Sequence, residues 1–90
     1  MSIKLNIHVT HRRYTDGLDA VQVQGATVGD CIKHLMTQYP AIEKGLFDRN
    51  GKLLKNIEIY VNDQSAYPDE LARQVKDGDA IHLTLMLAGG

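Results

Sequence analysis

The sequence contains a single cysteine, Cys31, among its 90 residues. One thiol cannot form an intramolecular disulfide, and it cannot complete a Cys-only zinc or iron–sulfur site, so a ferredoxin-type cluster is excluded. A lone thiol is consistent with a reducing compartment, and we expect a cytoplasmic protein.

The sequence also lacks an excess of positive charge and any long apolar run. Ten Lys and Arg stand against eleven Asp and Glu, for a formal net charge of −1. The basic residues are scattered and form no stripe of the kind that binds phosphate backbones. The apolar runs are too short for a membrane span or a secretory signal. We therefore expect neither nucleic acid nor a membrane as a partner.

Sequence motifs for catalysis and cofactor binding are absent as well. The chain has no Gly-x-x-x-x-Gly-Lys-Ser/Thr loop and no Gly-x-Gly-x-x-Gly motif. Its four histidines, His8, His11, His34 and His82, do not pair on one predicted helix as metal ligands do. We interpret all four as surface side chains, and we expect no metal and no cofactor bound by this chain.

The alternation of apolar and polar residues predicts strands, and one helical pattern lies between them. A length of 90 residues with 43% apolar content fits one globular domain over residues 1–90. Strands are predicted at residues 3–10, 18–24, 57–61 and 80–87, the first two as a hairpin with a long loop. Residues 41–56 are predicted to be a loop with one helical turn. The last strand is strongly apolar, and we expect it to be central in an α+β arrangement.

The helix is predicted to begin after Thr27, with Asp30 three residues later as in a capping box, and to end at Pro40. Cys31 lies on its apolar stripe, so we interpret it as a core residue rather than a nucleophile. In the segment Asp77-Gly78-Asp79, the glycine can supply a positive φ. The two carboxylates are predicted to bond the local backbone rather than to act as an acid–base pair.

The chain continues past its last predicted strand into Ala88-Gly89-Gly90. Glycine has no Cβ, so such a tail can thread a narrow crevice of another protein and leave its last carbonyl unhindered. Once a partner adenylates the Gly90 carboxylate, a thiolate or persulfide can attack the acyl carbon. The chain would then be a protein co-substrate and not an enzyme.

These features together resemble the ThiS/MoaD family of ubiquitin-like sulfur carriers over nearly the whole chain. The residues concerned are Thr27-Val28-Gly29-Asp30, Asp77-Gly78-Asp79 and Ala88-Gly89-Gly90, and the run Ile59-Tyr60-Val61-Asn62-Asp63 is most similar to the CysO-like branch. The resemblance implies a β-grasp, ubiquitin-like fold with a mixed sheet of four to five strands wrapped around one main helix. It also implies a flexible C-terminal tail at residues 88–90.

In that family an E1-like adenylyltransferase uses ATP to activate the terminal glycine carboxylate, which becomes a thiocarboxylate and donates sulfur to a biosynthetic enzyme. By position, the resemblance makes Gly90 the sulfur-bearing residue and Gly89, Ala88 and Leu87 its neighbours in the partner crevice. A JAMM-type metalloprotease that trims residues after Gly-Gly is implied in some pathways. The acceptor stays open among the cysteine, molybdopterin and thiamine pathways.

Partner docking is predicted on the sheet face away from the helix, with Tyr60, His82 and Met86 as candidates because they alternate with core positions. Two other functions stay open. A ubiquitin-like modifier would pass the same activated carboxylate to a lysine amine. A non-covalent β-grasp interaction module would not use its Gly-Gly at all.

Overall fold

The computed structural model describes residues 2–86, which form one mixed sheet of five strands with a helix packed on one face. In chain order the strands are β1 (Ser2–Ile7), β2 (Ala20–Gln24), β3 (Ile57–Val61), β4 (Gln64–Ser65) and β5 (Ala80–Leu85). Their order in the sheet is β2-β1-β5-β3-β4. Neighbours pair antiparallel except β1 and β5, which are parallel. This confirms the predicted β-grasp fold and the central position of the last strand.

The helices are α1 (Val28–Gln38) and the single turn α2 (Glu43–Leu46). Short 3₁₀ turns occupy Val9–Tyr14, Pro40–Ile42 and Glu70–Ala72. The Thr27 side chain accepts a hydrogen bond from the Asp30 N–H at 3.1 Å, so α1 begins where the capping pattern predicts. Pro40 follows its end, as predicted, because proline has no N–H to continue the helix.

The core lies between α1 and the inner face of the sheet. Alternate residues of each long strand are buried there, including Leu5, Ile59 and Ile81. The helix contributes the buried side chains Val28, Cys31, Ile32 and Leu35. Cys31 is fully buried, which confirms its interpretation as a core residue.

A tight turn joins β3 to the two-residue strand β4, which was not predicted although the alternation of β3 ends at Asn62-Asp63. Asn62 and Asp63 both have positive φ, at 50° and 72°, as a tight two-residue hairpin requires. The Asn62 side chain then donates to Asp79 Oδ1 at 2.9 Å and accepts from the Ala80 N–H at 3.0 Å. The hairpin is thereby tied to the start of β5.

The prediction that all four histidines are surface side chains is wrong for His11. The first strand ends at Ile7 rather than residue 10, because His8 caps the 3₁₀ turn that carries His11 inward. His11 is buried, and its Nε2 lies 2.7 Å from the Gly45 carbonyl, which can only accept the hydrogen bond. A Cβ at position 45 would lie 2.9 Å from His11 Cδ2, so glycine is needed there for the ring to fit.

Asp77 and Asp79 both bond the backbone, and Gly78 between them has the predicted positive φ of 89°. The partner of Asp77 is the distant Ser2 N–H at 2.7 Å, whereas Asp79 accepts from the nearby Lys76 N–H at 2.9 Å. The Lys76 bond and the bond from Asn62 lower the pKa of Asp79.

The lowered pKa makes the stability contribution of Asp79 dependent on pH. Its carboxylate form is favoured in the folded state, so the contribution is complete above the unfolded-state pKa of about 3.9 and is lost as pH falls through the lower folded-state pKa. Asp79→Asn should therefore flatten the acid limb of the free energy of unfolding. Urea titrations at several pH values below about 5 would check this, and parallel acid limbs for the two proteins would contradict it.

Candidate functional site

The end of β5 leads directly to the predicted tail and lies in the middle of the sheet. β5 pairs with β1 on one side and β3 on the other. Beyond the strand, the Met86 N–H still donates to the Asn56 carbonyl at 2.7 Å. The backbone is thus hydrogen-bonded up to Met86. The predicted site residues Leu87, Ala88, Gly89 and Gly90 lie outside the described residues.

Two of the three predicted docking residues lie side by side on the outer face of the sheet, the face away from α1. Tyr60 of β3 and His82 of β5 are cross-strand partners, and both are half-buried. The Tyr60 hydroxyl donates to Glu58 Oε2 at 2.9 Å. This bond, together with the negative charge of Glu58, raises the pKa of Tyr60. The phenol is therefore neutral, and its hydroxyl is held by Glu58.

Met86 lies apart from that pair. It is four residues beyond His82, roughly 13 Å along an extended chain. Its side chain is 54% exposed and borders a groove of about 560 Å³ that is also lined by Leu54, Ile57 and Tyr67. Tyr67 is 78% exposed and was not among the predicted docking residues, because it lies outside the alternating strands. The three predicted docking residues therefore divide into a central pair and Met86, which borders a separate groove.

Cys31 has the wrong surroundings for a sulfur nucleophile. Burial raises the pKa of its thiol, and the neighbouring Asp30 carboxylate raises it further. A thiol with a raised pKa, enclosed in the core, has little thiolate and no access to a donor. Cys31 is therefore unsuited to act as a nucleophile.

Within residues 2–86, no group of three or more His, Cys, Asp or Glu side chains is placed to hold a metal ion. Over the same residues, no helix has both the length and the apolar character that crossing a bilayer requires.

Comparison with known proteins identifies similar chains over the full length. A protein-family model described as the ThiS family matches residues 9–90. The Sulfur carrier protein CysO of Mycobacterium tuberculosis is 33% identical over 93 residues, covering 100% of both chains. A chain in the crystal structure of the Amycolatopsis orientalis BexX/CysO complex is 31% identical with a TM-score of 0.86, covering 98% of this chain and 99% of that one. SAMP1 from Haloferax volcanii is 27% identical with a TM-score of 0.86, covering 100% of both.

Proposed function

This chain belongs to the ThiS family, and on that premise we propose that it is a sulfur carrier whose Gly90 carboxylate is activated and converted to a thiocarboxylate. The observation that supports this most is the family match, which extends through the terminal Gly89-Gly90 of the sequence. Full-length similarity to the Sulfur carrier protein CysO supports the same role.

The proposed chemistry takes place on the tail and in a partner's active site. An oxygen of the Gly90 carboxylate attacks the α-phosphorus of ATP, which releases pyrophosphate and leaves an acyl adenylate. Hydrosulfide from a donor then attacks the acyl carbon, a C–S bond forms, and the C–O bond to AMP breaks. No electrons are transferred, and the product is a thiocarboxylate.

The fold contributes a fixed platform for this tail. Strand β5 is hydrogen-bonded to β1 on one side and to β3 on the other. Beyond the strand, the Met86 N–H donates to the Asn56 carbonyl, so the backbone is held up to residue 86. A partner that binds the platform meets the tail at a defined starting point, which reduces the conformational entropy lost on docking. We propose that Leu87, Ala88 and Gly89 then enter the partner's crevice, with Met86, Tyr60 and His82 at its rim.

The partners that follow are an E1-like adenylyltransferase, which binds the ATP, and a biosynthetic enzyme that accepts the sulfur. A JAMM-type metalloprotease is a third proposed partner where residues must be removed after Gly-Gly. The chain itself is proposed to bind no cofactor. The similar chain of the BexX/CysO structure was crystallised as part of a complex, which is in keeping with a protein that works by binding partners.

The proposal is tested by incubating the purified chain with candidate activating enzymes, ATP and sulfide. Intact mass spectrometry should show the gain that corresponds to exchange of one oxygen for sulfur. An unchanged mass with every candidate enzyme from the same genome would contradict the proposal.

Cys31→Ala should retain that mass gain in full, because the thiol is enclosed in the core and Gly90 is the proposed sulfur-bearing residue. The substitution removes a buried side-chain atom, so we expect a loss of about 1 kcal/mol in the free energy of unfolding. The reaction should therefore be run well below the variant's melting temperature. A variant that stays folded but gains no mass would place the sulfur on Cys31.

A second function is supported by the similarity to SAMP1, which is described as a small archaeal modifier protein. In that case a lysine amine attacks the same acyl adenylate and forms an isopeptide bond. Cell extracts would then contain proteins with this chain's terminal glycine on a lysine, detectable by mass spectrometry of proteolytic peptides. Abundant thiocarboxylate without such peptides would favour the carrier function alone.

A further inference from the structure

A shallow cavity of about 310 Å³ lies on the outer face of the sheet, beside the Tyr60–His82 pair. Three separate elements supply its basic and titratable side chains. Lys4 comes from β1, His8 and Arg12 from the 3₁₀ turn and its cap, and His82 from β5. Asp19 is the carboxylate among the lining residues. Residues far apart in sequence thus converge to make one basic concavity.

The charge of this cavity is opposite to that of the whole chain. The chain has a formal net charge of −1, whereas Lys4 and Arg12 outweigh Asp19 in the cavity even with both histidines neutral. Arg12 donates its Nε hydrogen to the Ile7 carbonyl at 3.1 Å. That bond positions the guanidinium without neutralising it, because the acceptor is an uncharged backbone group. The remaining N–H donors of a guanidinium suit a carboxylate.

We propose that this cavity is a docking subsite for an acidic side chain of the protein partner that takes the tail. This inference rests on the proposed function in one respect, namely that the partner is the protein that takes the tail. The preference of the cavity for an acidic group does not depend on it. His82 and Thr84 both line the cavity and lie on β5, the strand that leads into the tail. A partner that encloses the tail is therefore brought against the cavity as well.

The shallow shape favours a carboxylate carried by a protein over a free anion. Exposed ion pairs contribute little individually, since water and salt screen them. A small free anion would form only these exposed ion pairs with the cavity and would therefore bind weakly. A carboxylate on a partner already held by the tail is presented at high effective concentration, so the same weak pairs add to the affinity.

Other charged and titratable groups lie near the cavity. Glu58 and Tyr60 of β3 are on the same face of the sheet, and Asp77 and Asp79 line a neighbouring cavity with Lys4.

The probe for this proposal is a hexaglutamate peptide, titrated into the ¹⁵N-labelled full chain at low salt, with hexaglutamine as the matched control peptide. The amide shifts caused by hexaglutamate should concentrate at Asn6, Arg12 and Thr84, which line the cavity. Hexaglutamine should cause none. Shifts that are absent or scattered over the surface would overturn the proposal.

Two charge-reversal variants test whether peptide binding depends on the cavity or only on the net charge of the chain. Lys4→Glu should weaken hexaglutamate binding at least about fivefold, whereas Lys33→Glu, an exposed reversal on α1, should change it less than about twofold. Equal effects of the two variants would overturn the proposal. So would inorganic phosphate, at matched ionic strength, binding the cavity more tightly than the peptide, because the cavity would then be a small-anion site.

Deletion of Gly89 and Gly90 distinguishes this proposal from the proposed function. The shortened chain should bind hexaglutamate as the full chain does, because the peptide needs no tail. With an activating enzyme in hand, Lys4→Glu should raise the KM for the carrier and leave kcat within about twofold. A fall in kcat at unchanged KM would contradict docking, while the peptide results would stand whether or not the tail is ever activated.

Discussion

Deletion of Gly89 and Gly90 is expected to abolish activation of the chain by the proposed adenylating partner while leaving its thermal unfolding unchanged. The deletion shortens the tail by roughly 7 Å and leaves the carboxylate of Ala88 at the end. An acyl carbon displaced by that distance cannot occupy the site where the α-phosphate of ATP is attacked. ATP–pyrophosphate exchange, which reports formation of the acyl adenylate, should fall to the level measured without carrier.

A graded control keeps the length of the tail and changes only its shape. Gly89→Val adds a β-branched side chain where the tail is proposed to pass through a narrow crevice, so exchange should fall strongly but remain measurable. Both variants should unfold like the parent chain, because residues 2–86 contain the core. Exchange at the parental rate by the deletion variant would contradict the account, because the acyl adenylate would then form without the terminal glycines. A non-covalent interaction module would give no exchange with either chain.

The second large effect is expected in the core. Ile81 is fully buried on β5, the central strand, and its truncation to alanine should reduce the free energy of unfolding by about 2–5 kcal/mol. A 90-residue domain has a total stability of roughly 5–13 kcal/mol, so this is a large fraction of it. The melting temperature should fall by about 10 °C or more, and urea unfolding should show the same loss.

Two control substitutions on β5 show whether the loss of stability comes from packing in the core. Ile81→Val removes one methyl group and should cost about 0.5–1.5 kcal/mol. Thr84→Ala, on the outer face, removes a long hydrogen bond of 3.4 Å to the Glu58 carbonyl and should cost less than about 1 kcal/mol. Equal losses for all three variants would mean that β5 does not pack into the core as the structure has it.

The strands with strict alternation were predictable from the sequence. The residues of β3 were predicted without error, and β5 was placed correctly at the centre, because a strand with buried neighbours on both sides needs a strongly apolar inner face. β4 was not predicted, because a strand of two residues is too short to show an alternating pattern. The turn that forms it depends on the positive φ of Asn62 and Asp63, which the sequence does not show directly. The first strand was predicted too long, since the alternation continues to Thr10 although His8 begins a 3₁₀ turn.

The parts of the site that depend on distant residues could not be found from local patterns. His11 is buried through a bond to Gly45, 34 residues away. The cavity unites Lys4, Arg12 and His82, which only the parallel pairing of β1 with β5 brings together. The predicted residues Tyr60 and His82 do share a face, because alternation fixes the face of each strand. Their direct cross-strand pairing could not be predicted, because it depends on the register between β3 and β5.

The central claim is that sulfur is carried at the carboxyl carbon of Gly90. Its most direct test is fragmentation mass spectrometry of the chain after reaction with the activating enzyme, ATP and sulfide. The oxygen-to-sulfur mass difference should appear in every C-terminal fragment that contains Gly90, down to the shortest, and in no fragment that ends before it. Sulfur found on the fragment that contains Cys31, with an unmodified Gly90, would contradict the account.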